Sequence, residues 1–304
     1  MNGVKKVLML MGLMALGAAA ENEAWKPLWP GDAPGAPRPP QSTEKIGDRS
    51  AYTDIEQPQF LIHPAAEGKS TGQGVIVFPG GGYTFDMMEH EGNEFGRWLS
   101  ERGITAMVVK YRVSGRDDLR YGYPVPYLDA RRAIRVMRSQ AEKWGVDPGK
   151  IGVMGFSAGG HLASMCATKF SENYEAETKD EVDELSCRPD FAILVYPVIS
   201  MGHVTHQGSR RRLAGSDPTQ EMLDSLSTEL QVSRETPPCF LLTTSDDGVD
   251  CRNSLEFAIA CKAHDVPVAL HLFEKGGHGY GLHGEGNLSV WPQLLDAWLR
   301  ARSE

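Results

Sequence analysis

Lys150-Ile-Gly-Val-Met-Gly-Phe-Ser-Ala-Gly-Gly-His-Leu-Ala-Ser164 is an apolar run that reaches Gly155-Phe156-Ser157-Ala158-Gly159 and passes at once into a helical pattern. A buried strand that turns directly into a helix through Gly-x-Ser-x-Gly reads as a nucleophile elbow. There the serine takes a strained backbone conformation and stands clear of the sheet, while glycines let strand and helix approach without a Cβ clash. The five-residue pattern also arises by chance, so its surroundings must carry the reading.

Short apolar runs alternate with helical patterns on both sides of this stretch. The runs are Val75 to Phe78, Ala106 to Tyr111, Ile151 to Phe156, Phe191 to Val198, Phe240 to Thr244 and Val268 to Phe273. Continuous Val/Ile/Leu-rich runs suit strands covered on both faces. Helices are expected over His90 to Arg102, Val125 to Trp144, Ala158 to Phe170, Cys251 to His264 and Leu288 to Arg300, with a helical stretch around Met222 to Leu230. Such alternation predicts an α/β fold with a mostly parallel central sheet and helices on both faces. Phe60 to Pro64 reads as an edge strand. Two segments break the rhythm, Ser171 to Pro189 and the loop opening Ser200 to Thr236, and both are candidates to wall a pocket.

A chain of 304 residues accommodates one catalytic unit of this kind, here 50–304, behind an extended Pro/Gly/Trp-rich lead-in at 21–49 whose tryptophans are expected to pin it to the surface. Residues 1–20 carry Lys5 and Lys6, the apolar run Val7 to Leu16, and then Ala18-Ala19-Ala20. That is the order of a secretory signal peptide cleaved after Ala20, which implies a secreted or periplasmic protein without a membrane anchor. The net charge of −9, with no basic run in the body, argues against nucleic acid or an anionic membrane as partner. Five cysteines without Cys-x-x-Cys spacing read as buried thiols with at most one or two bridges, and no zinc or other metal site is expected from them.

A serine hydroxyl needs a histidine to take its proton and an acid to hold that histidine. The strand ending at Thr244 runs into Ser245-Asp246-Asp247-Gly248-Val249. Asp246 is preferred over Asp247 as the acid, because the Asp-x-x-Val spacing should tuck the valine inward and leave the first carboxylate facing the site. His278, in Gly276-Gly277-His278-Gly279 after the last strand, is the candidate base, with His283 as fallback; His161 is expected to pack beneath the elbow. Oxyanion donors are assigned to the N–H groups of Gly81 and Gly82, in Pro79-Gly80-Gly81-Gly82-Tyr83, and of Ala158. A phosphate-binding loop is excluded by the absence of Gly-x-Gly-x-x-Gly spacing. Tyr83, His206, Arg210 and Tyr280 are candidate substrate contacts.

The order Ser157, Asp246, His278 matches the α/β-hydrolase fold. The blocks Pro79-Gly-Gly-Gly-Tyr, Val109-Lys-Tyr-Arg-Val, Asp129-Ala-Arg-Arg-Ala-Ile-Arg, Trp144-Gly-Val-Asp-Pro, Gly152-Val-Met-Gly-Phe-Ser-Ala-Gly-Gly-His-Leu-Ala and Gly276-Gly-His-Gly resemble those of secreted bacterial esterases, namely the acetyl-xylan-esterase-like and feruloyl-esterase-like α/β-hydrolases. The resemblance implies a serine esterase that removes acyl groups, foremost acetyl, from plant or algal polysaccharides without a cofactor. Two departures bear on the pocket: Val249-Asp250-Cys251 stands where Val-Pro-Val is expected, and Pro79 opens the glycine loop where lipase-like relatives have a histidine. The alternatives are a prolyl-oligopeptidase-like peptidase, which shares the Asp-Asp-x-Val loop, and a non-catalytic carbohydrate-binding protein that stacks sugars on Trp25, Trp29, Tyr83 and Tyr280.

Overall fold

The computed structural model describes residues 24–35, 44–113, 120–174 and 180–303. The proposed signal peptide lies outside the described residues. The main sheet is built from β1 (Lys26–Pro27), β2 (Gln59–His63), β3 (Gly74–Phe78), β4 (Thr105–Lys110), β5 (Ile151–Phe156), β6 (Phe191–Val195), β7 (Cys239–Thr244) and β8 (Val268–Phe273), in the spatial order β1-β2-β4-β3-β5-β6-β7-β8. The six strands from β4 to β8 in that row are parallel, and β2 joins β4 antiparallel. The strand at Gln59–His63 is therefore not the edge expected of it. The short β1 covers it, pairing Lys26 with Phe60.

The reason the strands read as unbroken apolar runs is visible in the two cores. Ile76, Phe78, Val153 and Leu241 point to one face, against Ile134, Met137, Leu162 and Phe257. Val75, Val77, Met154 and Phe240 point to the other, against Phe95, Leu99, Trp291 and Leu295. Period-2 alternation is thus between two apolar layers, so no polar face is left to mark it. The helices are α1 (Glu94–Glu101), α2 (Val125–Ser139), α3 (Ser157–Thr168), α4 (Gln207–Ala214), α5 (Gln220–Leu226), α6 (Arg252–Ala263) and α7 (Trp291–Arg300). A π-helical turn, Met88–Asn93, precedes α1. The helix α4 lies where the sequence reads as a loop. Its cap is the imidazole of His206, which accepts from the Ser209 N–H, in place of the Ser, Thr, Asp or Asn that would have announced a start.

The lead-in is held more deeply than a surface contact. Trp29 is buried, and its Nε1–H donates to Asp129 Oδ1 at 2.9 Å. Asp129 also takes Arg112 Nε and Nη2, at 2.8 and 2.7 Å, and the Arg112 backbone N–H at 3.0 Å, with both side chains fully buried. Arg112 Nη1 in turn donates to the Pro34 carbonyl. Removing one partner of such a pair strands the other charge without water. Asp129→Ala is therefore expected to cost about 3–5 kcal/mol, read as a lowered denaturation midpoint, whereas an unchanged midpoint would show that the pair carries no such role.

The segment expected to wall a pocket at Ser171 to Pro189 instead folds onto α2, where Asp180 and Asp183 bind Arg132; none of its described residues lines the cavity beside Ser157. All five cysteines are free thiols, four of them buried. Among the described residues no helix is long and apolar enough to cross a membrane.

Candidate active site

Strand β5 delivers the serine. Ser157 adopts φ +53° at the first position of α3. A Cβ on Gly155 would lie 2.0 Å from the Gly159 carbonyl oxygen, and one on Gly159 2.2 Å from that of Phe78, so both glycines are required by close approach of backbone. The turn lifts Ser157 Oγ to within 2.9 Å of His278 Nε2. The ring of His278 is presented between Gly277 (φ +65°) and Gly279 (φ +73°), and lies edge-on to Tyr196 at a centroid distance of 4.9 Å.

The acid facing the imidazole is Asp247, which corrects the preference for Asp246. Asp247 Oδ1 is 2.8 Å from His278 Nδ1, and its side chain is fully buried. Its Oδ1 also accepts the Val249 N–H at 2.7 Å, so the inward turn of Val249 carries the second carboxylate inward with it. Asp246 points the other way and accepts the N–H groups of Gly276 and Gly277, at 3.0 and 2.8 Å. Those bonds, the Gly277 one foremost, hold its carboxyl below the usual carboxylate range. Asp246 thus braces the loop that carries His278 without touching the imidazole.

The glycine loop arrives from β3. Gly81 and Gly82 line the cavity beside Ser157, and among the described residues their N–H groups have no protein acceptor. The Ala158 N–H lies in the first turn of α3, where no intrahelical acceptor exists. The loop is fixed from below by a residue with no distinguishing sequence signal. Glu91, buried, accepts the Gly80 N–H at 2.8 Å and the Tyr196 hydroxyl at 2.8 Å. Burial pushes its pKa up, partly offset by these two bonds.

The candidate substrate contacts divide. Tyr280 and His206 line the same cavity, of about 1090 Å³. The Tyr280 hydroxyl is buried without a partner among the described residues. His206 is held below the ordinary histidine pKa by burial and then by nearby His278. Arg210 lines a neighbouring cavity of about 820 Å³ instead, because α4 turns it away from the serine. Tyr83 is a core residue. Its ring packs edge-on to Tyr111 and His161, and its hydroxyl meets His161 Nδ1 at 2.8 Å. Trp29, a proposed stacking surface, is likewise buried.

His161 lies beneath the elbow as the sequence predicts, with Nε2 2.8 Å from the Leu226 carbonyl oxygen. The Nε2–H donates there and Nδ1 accepts from Tyr83, so the ring is neutral. Burial pushes its pKa down to about 4. The unfolded chain then binds the extra proton between roughly pH 6.5 and 4. This contribution to stability is present above pH 6.5 and is lost as pH falls through that window, on the order of 3 kcal/mol. Urea titrations at pH 4.5 and 7 are expected to show a smaller acid destabilisation for His161→Gln than for the wild type; equal slopes would contradict the assignment.

A parallel sheet whose central strand ends in a strained serine, with an acid and a histidine following later strands, defines the α/β-hydrolase fold. The chain belongs to the BD-FAE family, whose model matches residues 61–260. It is 37% identical over 235 residues to endo-1,4-beta-xylanase B of Butyrivibrio fibrisolvens, covering 75% of this chain and 36% of that protein. It is 32% identical over 239 residues to an acetylxylan esterase of Xylanibacter ruminicola, covering 73% of this chain and 46% of that one. The chain thus spans less than half the length of these two relatives. A solved acetyl ester-xyloside bifunctional hydrolase from Caldicellulosiruptor lactoaceticus superimposes with a TM-score of 0.78 at 38% identity, covering 92% of this chain and 97% of that one.

Proposed function

We propose that the protein is a serine esterase that hydrolyses short-chain acyl esters on carbohydrate, acetyl foremost. The observation that carries the reading is the hydrogen-bonded line Ser157–His278–Asp247 opening into the cavity beside Gly81 and Gly82. Ser157 Oγ attacks the ester carbonyl while His278 Nε2 takes its proton, and Asp247 holds the other ring nitrogen and stabilises the imidazolium. The oxyanion is received by the N–H groups of Gly81, Gly82 and Ala158, each donor of this kind being worth about 2.7–4 kcal/mol in the transition state. Collapse breaks the bond to the sugar oxygen, which leaves with the proton from His278. Water, deprotonated by His278, then attacks the acyl-enzyme and releases the carboxylic acid and free Ser157. Each cycle consumes one ester and one water and calls for no cofactor.

Support for a sugar ester comes from two sides. The cavity is far larger than an acetyl group and within the size that accommodates a saccharide around the scissile bond. The name of the acetylxylan esterase specifies acetyl groups on xylan, and that of the bifunctional hydrolase joins acetyl ester with xyloside. A peptidase would need a free charge to hold a peptide terminus, but Glu89 and Glu94 at the cavity wall are engaged with Arg97 and His283. Export, with cleavage after Ala20, belongs to the same reading, since a polysaccharide substrate lies outside the cell.

Purified protein assayed on acetyl, butyryl and feruloyl esters, acetylated xylan and an aminoacyl-proline amide tests the proposal. Turnover is expected to be fastest on the acetyl substrates and absent on the amide. Cleavage of the amide with silence on every ester would replace the esterase with the peptidase, and a feruloyl preference would move the acyl specificity.

A further inference from the structure

At the edge of the same cavity, outside the Ser157–His278–Asp247 line, two histidines and a carboxylate converge on one small volume. His90 from the π-helical turn, Glu94 from the first position of α1 and His283 from the loop after His278 each direct a ligand atom to within 4.8 Å of the others. His283 Nε2 lies 2.8 Å from Glu94 Oε2, and His90 Nδ1 lies 3.8 Å from the same oxygen. The two imidazoles face each other with an interplanar angle of 13°.

The anchoring of His90 makes this more than a surface ion pair. Its Nε2 is 2.7 Å from the Gly279 carbonyl oxygen and donates to it, which leaves Nδ1 turned toward Glu94. In the neutral ring the Nδ1 lone pair is thereby directed to the side of the Glu94 carboxylate, 3.8 Å away, from which an ion would be held. The Nε2–H to carbonyl bond is also the outer contact that fixes the tautomer of metal-binding histidines. Bonds of about 2.0–2.1 Å in a tetrahedral site set ligand atoms roughly 3.3–3.4 Å apart, and the separations of 2.8 and 3.8 Å fall on either side of that value. His90 is also fixed in place. A Cβ on Gly281 would lie 2.7 Å from its ring, and Gly281 is itself tied to Tyr196 and Trp291.

We infer that His90, Glu94 and His283 form a binding site for a divalent cation of the zinc class, with water as a fourth ligand. Two imidazoles and one carboxylate suit zinc better than magnesium or calcium, which take oxygen sets. The ion would join α1 to the loop 279–283, which continues from the catalytic histidine, and so clamp that loop at the cavity rim. The sequence expectation of no metal rested on the cysteines, whereas these ligands lie on segments separated by 189 residues.

The test uses tag-free full-length protein freed of metal by chelation. Calorimetric titration with zinc is expected to show one equivalent per chain, and cobalt(II) to give the intense visible absorption of a tetrahedral site. His283→Ala, at a side chain 65% exposed, is expected to keep the metal-free melting temperature. In that variant and in Glu94→Gln, zinc affinity should fall at least about 10–100-fold, the range that even outer partners of a metal site command. Zinc should raise the melting temperature of the wild type and of neither variant. Absence of stoichiometric uptake, or uptake unchanged by both substitutions, overturns the site; neither readout depends on ester turnover.

Discussion

Asp247→Asn is expected to lower kcat by about 10⁴-fold with the fold intact, the loss seen when a triad acid becomes an amide and the wrong imidazole tautomer is favoured. The reason is local: Asp247 is the carboxylate within 2.8 Å of His278 Nδ1, and it is shielded from water. Asp246→Asn provides the contrast. Its bonds run to the Gly276 and Gly277 N–H groups, which an amide oxygen still accepts, so about tenfold or less should be lost. Steady-state kinetics on an acetyl ester separates the two. A large loss at Asp246 with a small one at Asp247 would reverse the assignment.

Ser157→Ala carries the other large effect. Without Oγ no acyl-enzyme forms, and the remaining groups can only polarise the carbonyl. The residual catalysis of such a stripped site comes from oxyanion donors and binding, so kcat is expected to fall by about 10⁶-fold. Thermal stability should hold or rise slightly, because alanine at this position removes a hydroxyl but keeps the backbone turn set by Gly155 and Gly159. The measurement is turnover of an acetyl ester together with a melting curve, and residual turnover near the wild-type rate would remove Ser157 as the nucleophile.

What the sequence could reveal followed from which signals are local. The elbow, the glycine loop and the Gly-flanked histidine each announce themselves within five residues, and the apolar runs mark strands because both of their faces are covered. The acid was legible to within one position. Asp246 and Asp247 share one turn, and only the bonds to Val249 on one side and to Gly276 and Gly277 on the other decide which carboxylate faces inward. Arg210 was misplaced for a similar reason, since α4 begins at an imidazole cap that propensity does not flag. Tyr83 looked like a pocket residue from its place after the glycines, yet a buried partner 78 positions away, His161, takes its hydroxyl. Glu91 and Tyr196, which fix the glycine loop from below, are 105 positions apart and carry no motif.

Release of acetate from acetylated xylan, measured side by side for wild type and Ser157→Ala, tests the central claim most directly. A wild-type protein that liberates acetate from the polymer, with release by the variant indistinguishable from the enzyme-free control, is the predicted result. Equal release by both proteins, or no release by a wild type that cleaves the aminoacyl-proline amide, would contradict it.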